Sequence, residues 1–390
     1  MNHQKDLFDL NPDIVFLNGA YMSPQLKSVA DIGIRHLSRK NRPDGISIQD
    51  FFRPVQQLKA SFAALIGAED PERIALIPSV SYGIANAAHN LPFGPGQQVL
   101  VAEAQFPSNY YIWERLTRER GATLHTVACP QQATHRGDAW TAAWLDAIDE
   151  RTAVVALEHV HWADGSVFDL EAIAAKARSV GAAVVIDGTQ SVGALPFSVA
   201  DIQPDALICA GYKWLMGPYS IGLAYYSPIF DGGKPIEENW INKQDSEHFK
   251  NLVAYQSAYK PKAARYCMGE QSNFVLVPML QGALEQIIAW GPDNIQAYCH
   301  QIAAEALPLI REYGGIIDAS PARAGHLFGV RLGPGIDAAA LEKALQDHQV
   351  HLSFRGDAIR VAPHVYNTLE DFAVLAECFR LAHKKRDQLS

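Results

Sequence analysis

Short apolar runs alternating with longer amphipathic stretches predict an α/β fold: a large domain on a mainly parallel sheet covered by helices, then a smaller α+β C-terminal domain. Three observations carry this reading. The runs at 74–77, 99–102, 123–127, 153–157, 183–186, 206–209 and 222–226 are largely continuous in apolar character, as strands buried on both faces are. The stretches between them are long enough for helices, and within 169–180 Leu170, Ile173, Ala174 and Ala177 share one helical face. The third is length, since 390 residues exceed a single compact core.

Beyond residue 226 the pattern changes. The segment 231–245, rich in Gly, Pro and acids, interrupts the alternation and reads as an excursion or active-site loop. A helix is expected over 278–290, stopped by Gly291-Pro292. The remainder reads as helix (294–313), strand (326–332), helix (337–347), strand (358–362) and helix (369–384). We therefore expect a large domain over 16–285 and a small one over 286–390 that also takes in residues 1–15. There is no internal repeat and no low-complexity tract.

Hydrophobic residues make up 48% of the chain and charged residues 19%, enough apolar material for a sizeable core. The net charge is −9 with acids and bases interspersed, so the basic footprint of a nucleic-acid or anionic-membrane binder is missing. The first residues have no apolar run behind their basic side chain. Nor does any stretch approach the roughly 18 uncharged apolar residues of a membrane span. Five scattered cysteines without a Cys-x-x-Cys pair fit a reducing compartment, and a cytoplasmic protein is expected.

Chemistry concentrates after residue 183. The run Ala183-Val-Val-Ile-Asp187-Gly-Thr-Gln190 is an apolar strand that ends on an acid and turns through glycine. Ligands of open α/β sheets bind at the carboxyl ends of strands, which is where Asp187 falls. The next run leads into Ala210-Gly-Tyr212-Lys213-Trp-Leu-Met-Gly-Pro218, so Lys213 closes a second strand among aromatic and aliphatic neighbours. Burial there would depress the ammonium pKa and free a nucleophilic amine. Either residue alone reads as a turn acid or a surface lysine. With Gln190 they match the needs of pyridoxal phosphate (PLP) chemistry: an amine for the aldehyde, a carboxylate that keeps the pyridine nitrogen protonated, and a donor for the ring 3-oxygen.

The run Asp187-Gly-Thr-Gln190 … Gly211-Tyr-Lys213-Trp-Leu-Met-Gly-Pro218 resembles the signature of the class V aminotransferase family. The likeness extends from Phe16-Leu-Asn18-Gly-Ala20 to residues 360–368. It implies a fold type I, homodimeric PLP enzyme with its site at the dimer interface and Lys213 as the Schiff-base lysine. Pro78-Ser-Val-Ser81-Tyr82-Gly83 is similar to the family's phosphate-binding turn, which assigns Ser81 and Tyr82 to the cofactor; a helix N-terminus suits a phosphate. Phe106 takes the ring-stacking position that histidine holds in desulfurases, and phenylalanine stacks without transferring protons.

By the same resemblance Tyr212 stands where desulfurases place a phosphate-binding His, and Trp162 where they place an Asn on the ring oxygen. Arg360 matches the arginine that grips the substrate's α-carboxylate through its planar fork, with Arg355 and Arg331 as further candidates. Asn18 is carried over as a second substrate-binding residue. The loop 265–273 matches one that reaches a partner subunit's phosphate in the family.

His159-x-His161 share one strand face, but no third ligand accompanies them and no metal is expected. The loop 349–357 has no cysteine, which disfavours a persulfide-forming desulfurase. The expected activity is transamination of an amino acid. A C–S or other β-lyase, kynureninase-like or of the ergothioneine-pathway kind, an amino-acid epimerase, and a PLP-fold protein without turnover stay open. No Gly-x-Gly-x-x-Gly follows a strand and no Gly-x-Ser-x-Gly occurs, against a dehydrogenase or a serine hydrolase.

Overall fold

Continuously apolar strands form the central layer of the computed structural model, which describes residues 1–131, 135–318, 323–356 and 358–384. The last residues expected in the small domain, 385–390, lie outside the described ones. In chain order β1 (Val15–Phe16), α1 (Lys27–Leu37) and α2 (Arg53–Leu65) precede the sheet. Then come β2 (Ile74–Ile77), α3 (Val80–Asn90), β3 (Gln98–Ala102), α4 (Tyr111–Arg120), β4 (Thr123–Val127) and α5 (Arg136–Ala147). β5 (Thr152–Glu158), α6 (Leu170–Ser179), β6 (Ala183–Asp187), α7 (Val199–Ile202), β7 (Ala206–Ala210) and β8 (Gly222–Tyr226) complete the layer.

These strands form a seven-stranded sheet in the order β2-β8-β7-β6-β5-β3-β4. β4, β3, β5, β6 and β7 run parallel, and β8 is antiparallel to both β7 and β2. Every residue of β2, β3, β5 and β7 is buried, because helices cover both faces. β4 lies at the edge, and its Thr123, His125 and Thr126 leave it partly exposed. The sheet matches the mainly parallel layer expected.

A long helix, α8 (Leu276–Trp290), leaves the layer, followed by α9 (Pro292–Ala303) and α10 (Ala306–Glu312). The expected boundary at 285 falls inside α8, which runs unbroken to the left-handed Gly291. The single helix expected over 294–313 divides into α9 and α10, because Pro308 has no N–H to offer the Ala304 carbonyl. The rest is β9 (Gly315–Ile317), β10 (Phe328–Leu332), α11 (Ala338–Asp347), β11 (Val350–His351), β12 (Ser353–Arg355), β13 (Ala358–Val361) and α12 (Leu369–Ala382).

β12, β13, β10 and β9 form an antiparallel sheet, while β1 pairs with β11, tying the N-terminal segment to this end of the molecule. Among the described residues no helix is long and apolar enough to cross a membrane.

One close approach fixes the geometry at the strand ends. The turn after β6 passes the turn after β7 at Gly193, whose φ is +103°, and a Cβ there would lie 2.3 Å from the Trp214 carbonyl oxygen. Backbone cannot yield as a flexible side chain can, so only glycine fits. Gly193→Ala is expected to lower unfolding stability by about 1–3 kcal/mol, read as a lower urea midpoint at unchanged slope.

Candidate active site

Parallel pairing sets three strand ends side by side. Asp187 closes β6 and lies in register with Glu158 at the end of β5 and with Ile208 of β7. Lys213 follows three residues after β7 ends. All three side chains are buried, Lys213 to 6% exposure, and all three line a cavity of ≈ 170 Å³. Helix α3 opens onto the same cavity through Ser79, Val80 and Ser81, with Phe106, Trp162 and Thr189 on its other sides.

Most of the residues anticipated from the sequence meet here. Phe106 lies with its ring centroid 5.3 Å from Lys213 Nζ, and Tyr212 lines the cavity and packs on Tyr219 at 4.5 Å between centroids. Ser79 caps α3 by accepting from the Tyr82 amide (3.3 Å), and its hydroxyl meets that of Ser81 at 3.0 Å. Gln190 borders the cavity, and its amide orientation is decided by Trp214: the indole N–H can only donate, so Oε1 accepts (3.0 Å). Nε2 donates to the Ala20 carbonyl (3.2 Å), which leaves one amide hydrogen for a ligand.

Three anticipated residues stand apart from the cavity lining. The Tyr82 hydroxyl points away, donating to Glu237 Oε2 (2.9 Å) in the excursion after β8. Asn18 accepts from the Ser353 hydroxyl (2.8 Å), on the strand beside Arg360. Arg360 is buried behind Trp162 and donates to its carbonyl (2.9 Å). Neither histidine of the His-x-His pair reaches the cavity: His161 binds Asp164 at 3.0 Å, and His159 packs on Phe197.

Glu158 was not anticipated. Its two oxygens accept from the Phe106 amide (2.9 Å) and the Trp162 amide (3.3 Å), so one carboxyl staples both aromatic walls. Those rings meet edge to face at 5.4 Å. Trp162 also donates through Nε1 to the Ala104 carbonyl (2.7 Å), holding Ala104 at φ +53°, a conformation of the strained kind found at functional sites. Ser108, Tyr219 and Ser220 complete the wall; their only signal in the sequence was polarity next to turns.

Burial governs the ionisation of the cluster. It draws the Lys213 pKa down to about 8, against the pull of the Asp187 carboxylate and helped by the positive charges of Arg360 and Arg355. Burial pushes the Glu158 pKa up to about 7, with His161 opposing and Asp187 adding to the rise. Asp187 is also raised by burial, partly offset by the hydroxyl and amide of Thr189 and by Lys213. Behind Glu158, burial works against a charge on His161, but Asp164 overcomes it and holds the imidazole above its usual value. Arg136 supports Asp164 at 3.0 Å.

These residues fit PLP. A buried amine can hold the aldehyde, Phe106 offers a ring face, and the capped N-terminus of the 11-residue α3 offers hydroxyls and amides for a phosphate. Asp187 is a buried acid without an ion-pair partner among the described residues, and a protonated ring nitrogen would supply one.

The model of the family described as Aminotransferase class-V matches residues 47–371. The chain belongs to this family. Among class-V relatives, an isopenicillin N epimerase of Streptomyces clavuligerus is 25% identical over 383 residues, covering 94% of each chain. An uncharacterized aminotransferase of Bacillus subtilis (strain 168) is 26% identical, covering 84% of this chain and 83% of its own.

The same fold recurs in solved structures. The cystine C–S lyase C-DES with its product cysteine persulfide superposes with a TM-score of 0.83 at 19% identity, covering 96% of this chain and 99% of the lyase. A variant of C-DES with glycine covalently linked to the PLP cofactor gives 0.85 at 18%, covering 98% and 100%. The cysteine desulfurase CsdA of Escherichia coli gives 0.80 at 18%, covering 97% of each chain.

Two measurements check the electrostatics. Trapping of an aldehyde by Lys213 in cofactor-free protein, read by borohydride reduction and mass spectrometry, should rise with pH about a midpoint near 8, not near the ordinary lysine value. Glu158→Gln presents an NH₂ to one of the two amides that now donate to the carboxyl. That unmet donor should weaken the wall by about 1–3 kcal/mol in unfolding stability, and the substitution should remove an ionisation near pH 7 from the rate profile.

Proposed function

We propose that this class-V enzyme is a PLP-dependent aminotransferase acting on an amino acid, with Lys213 as the proton carrier. PLP is its cofactor. The observation that carries the reading is the desolvated Lys213 amine facing Phe106 in a cavity shared with Asp187 and the N-terminus of α3. When bound, PLP supplies an aldehyde that condenses with amines and a ring that accepts the electron pair released at the substrate α-carbon.

The chain's own residues do the rest. Lys213 would hold the aldehyde, and its Nζ, whose pKa burial draws down to about 8, is the group placed to take and return the substrate α-proton. Asp187 would keep a bound ring's nitrogen protonated, and its buried position would make that charge–charge contact strong. Phe106 stacks but moves no proton, so the work falls on Lys213. Arg360 is our candidate for the substrate α-carboxylate. A homodimer belongs to the same reading, supported by Gln271 Oε1, which is buried without a hydrogen-bond partner among the described residues in the 265–273 loop.

A second reading, epimerisation, is favoured by one feature. Glu158 gives the cavity a second group that changes charge near neutrality, and inverting a centre requires proton donors on two sides.

One experiment separates the readings. Addition of amino acids to the holoenzyme should bleach the visible absorbance of the lysine-bound cofactor, and a keto acid should restore it. Loss of optical rotation with solvent deuterium entering the α-carbon, and no keto acid formed, decides for epimerisation instead. Pyruvate release without bleaching decides for β-elimination. Lys213→Ala should abolish the lysine-bound absorbance and lower kcat ~10²–10⁴-fold; retention of both would overturn the assignment.

A further inference from the structure

Arg355 ends β12 and Arg360 lies on β13, and the antiparallel register pairs Ser353 with Arg360 and Arg355 with Ala358. Residues two apart share a sheet face, so the two arginines sit on one face as diagonal neighbours, with Cβ atoms ~7–8 Å apart. The other two corners are the small Ser353 and Ala358, which leave the space above the face to the guanidinium groups.

Both arginines converge on Trp162, a wall of the cavity. Arg360 donates to its carbonyl (2.9 Å), and the Arg355 guanidinium lies 5.7 Å from its ring centroid. Neither pairs with a carboxylate among the described residues; Arg355 donates to the Phe354 carbonyl (2.8 Å). The Nε of each is buried without a hydrogen-bond partner, and Arg360 is only 2% exposed. Two like charges held as neighbours beside a desolvated pocket are unfavourable until anions meet them. Their charges also reach Lys213 and each other, lowering the Arg360 pKa to about 10 after burial has begun the shift.

We propose that the substrate is a dicarboxylic amino acid, its α-carboxylate on Arg360 and its side-chain carboxylate on Arg355. This rests on the amino-acid reading above and adds a second anionic subsite to it. The planar fork of each arginine suits a carboxylate through paired, charge-assisted hydrogen bonds. An amide of the same shape offers one weaker acceptor and brings an NH₂ donor against a donor.

The test uses the PLP-loaded enzyme and the absorbance of the lysine-bound cofactor. It is titrated with aspartate, glutamate and 2-aminoadipate, and in parallel with asparagine, glutamine and alanine. At least one diacid should reach half-saturation at a concentration about tenfold or more below its amide or alanine. Arg355→Met should bring that ratio close to one, and Arg355→Lys, which keeps the charge but loses the fork, should restore part of it. Equal responses to acids and amides in the unaltered enzyme would overturn the proposal, because they describe one carboxylate gripped by both arginines. An absorbance that no amino acid perturbs would overturn the amino-acid reading itself.

Discussion

A lysine at 6% exposure is costly to charge, and the Asp187 carboxylate at the adjacent strand end pulls against that cost without closing to an ion pair among the described residues. Burial with an opposite charge nearby cannot be built from flexible side chains on a surface. It requires β6 and β7 to be parallel neighbours whose carboxyl ends emerge together, as their register provides. It also requires both following turns to pass within touching distance, which Gly193 permits against Trp214. The apolar strands, the close turns and the covering helices therefore serve one electrostatic constraint: they keep water from an acid and an amine whose ionisation burial shifts.

A second chain of charges supports the first. Arg136 bonds Asp164, Asp164 bonds His161, and the imidazole faces Glu158 from behind the cavity. Burial alone would keep Glu158 neutral, but the charged imidazole pulls it back toward ionisation, to about 7. The His-x-His spacing that suggested a metal pair on one strand face thus has an electrostatic use for one member and a packing use for the other. Glu158 passes this support forward by accepting both wall amides, so the aromatic geometry and the charge state of the cavity are coupled.

What was legible in the sequence was whatever depends on continuous apolar runs or on residues near a strand end. The seven strands, the sheet type and the meeting of Asp187 with Lys213 follow from those local patterns. Glu158 was overlooked for a physical reason: it closes an apolar run as Asp187 does, but its partners are backbone amides, one four residues on at Trp162 and one 52 residues back at Phe106, which no side-chain pattern reveals. Tyr82 has the opposite history. Its place in the run that resembles the family's phosphate-binding turn pointed to the cofactor, while its hydroxyl donates to Glu237, 155 residues later. The split of α9 from α10 was readable in Pro308, while the short β9, β11 and β12 are too brief to show a period.

Charge balance is the last step. Lys213 within the cavity and Arg355 and Arg360 beside it, whose charges lower the Lys213 pKa, face Asp187 and Glu158, two carboxyls that burial raises. Buried cation excess is unstable unless something anionic answers it, and the chain offers no further carboxylate to the arginines among its described residues. The N-terminus of α3 adds more positive potential at the other end of the cavity. A ligand set that satisfies both ends must carry anions at two separated places, with a flat apolar body between them against Phe106. On the proposed reading a phosphorylated ring would answer the α3 end and a carboxylate-bearing amino acid the arginine end, which is the division of charge that the strand ends and the small sheet lay out.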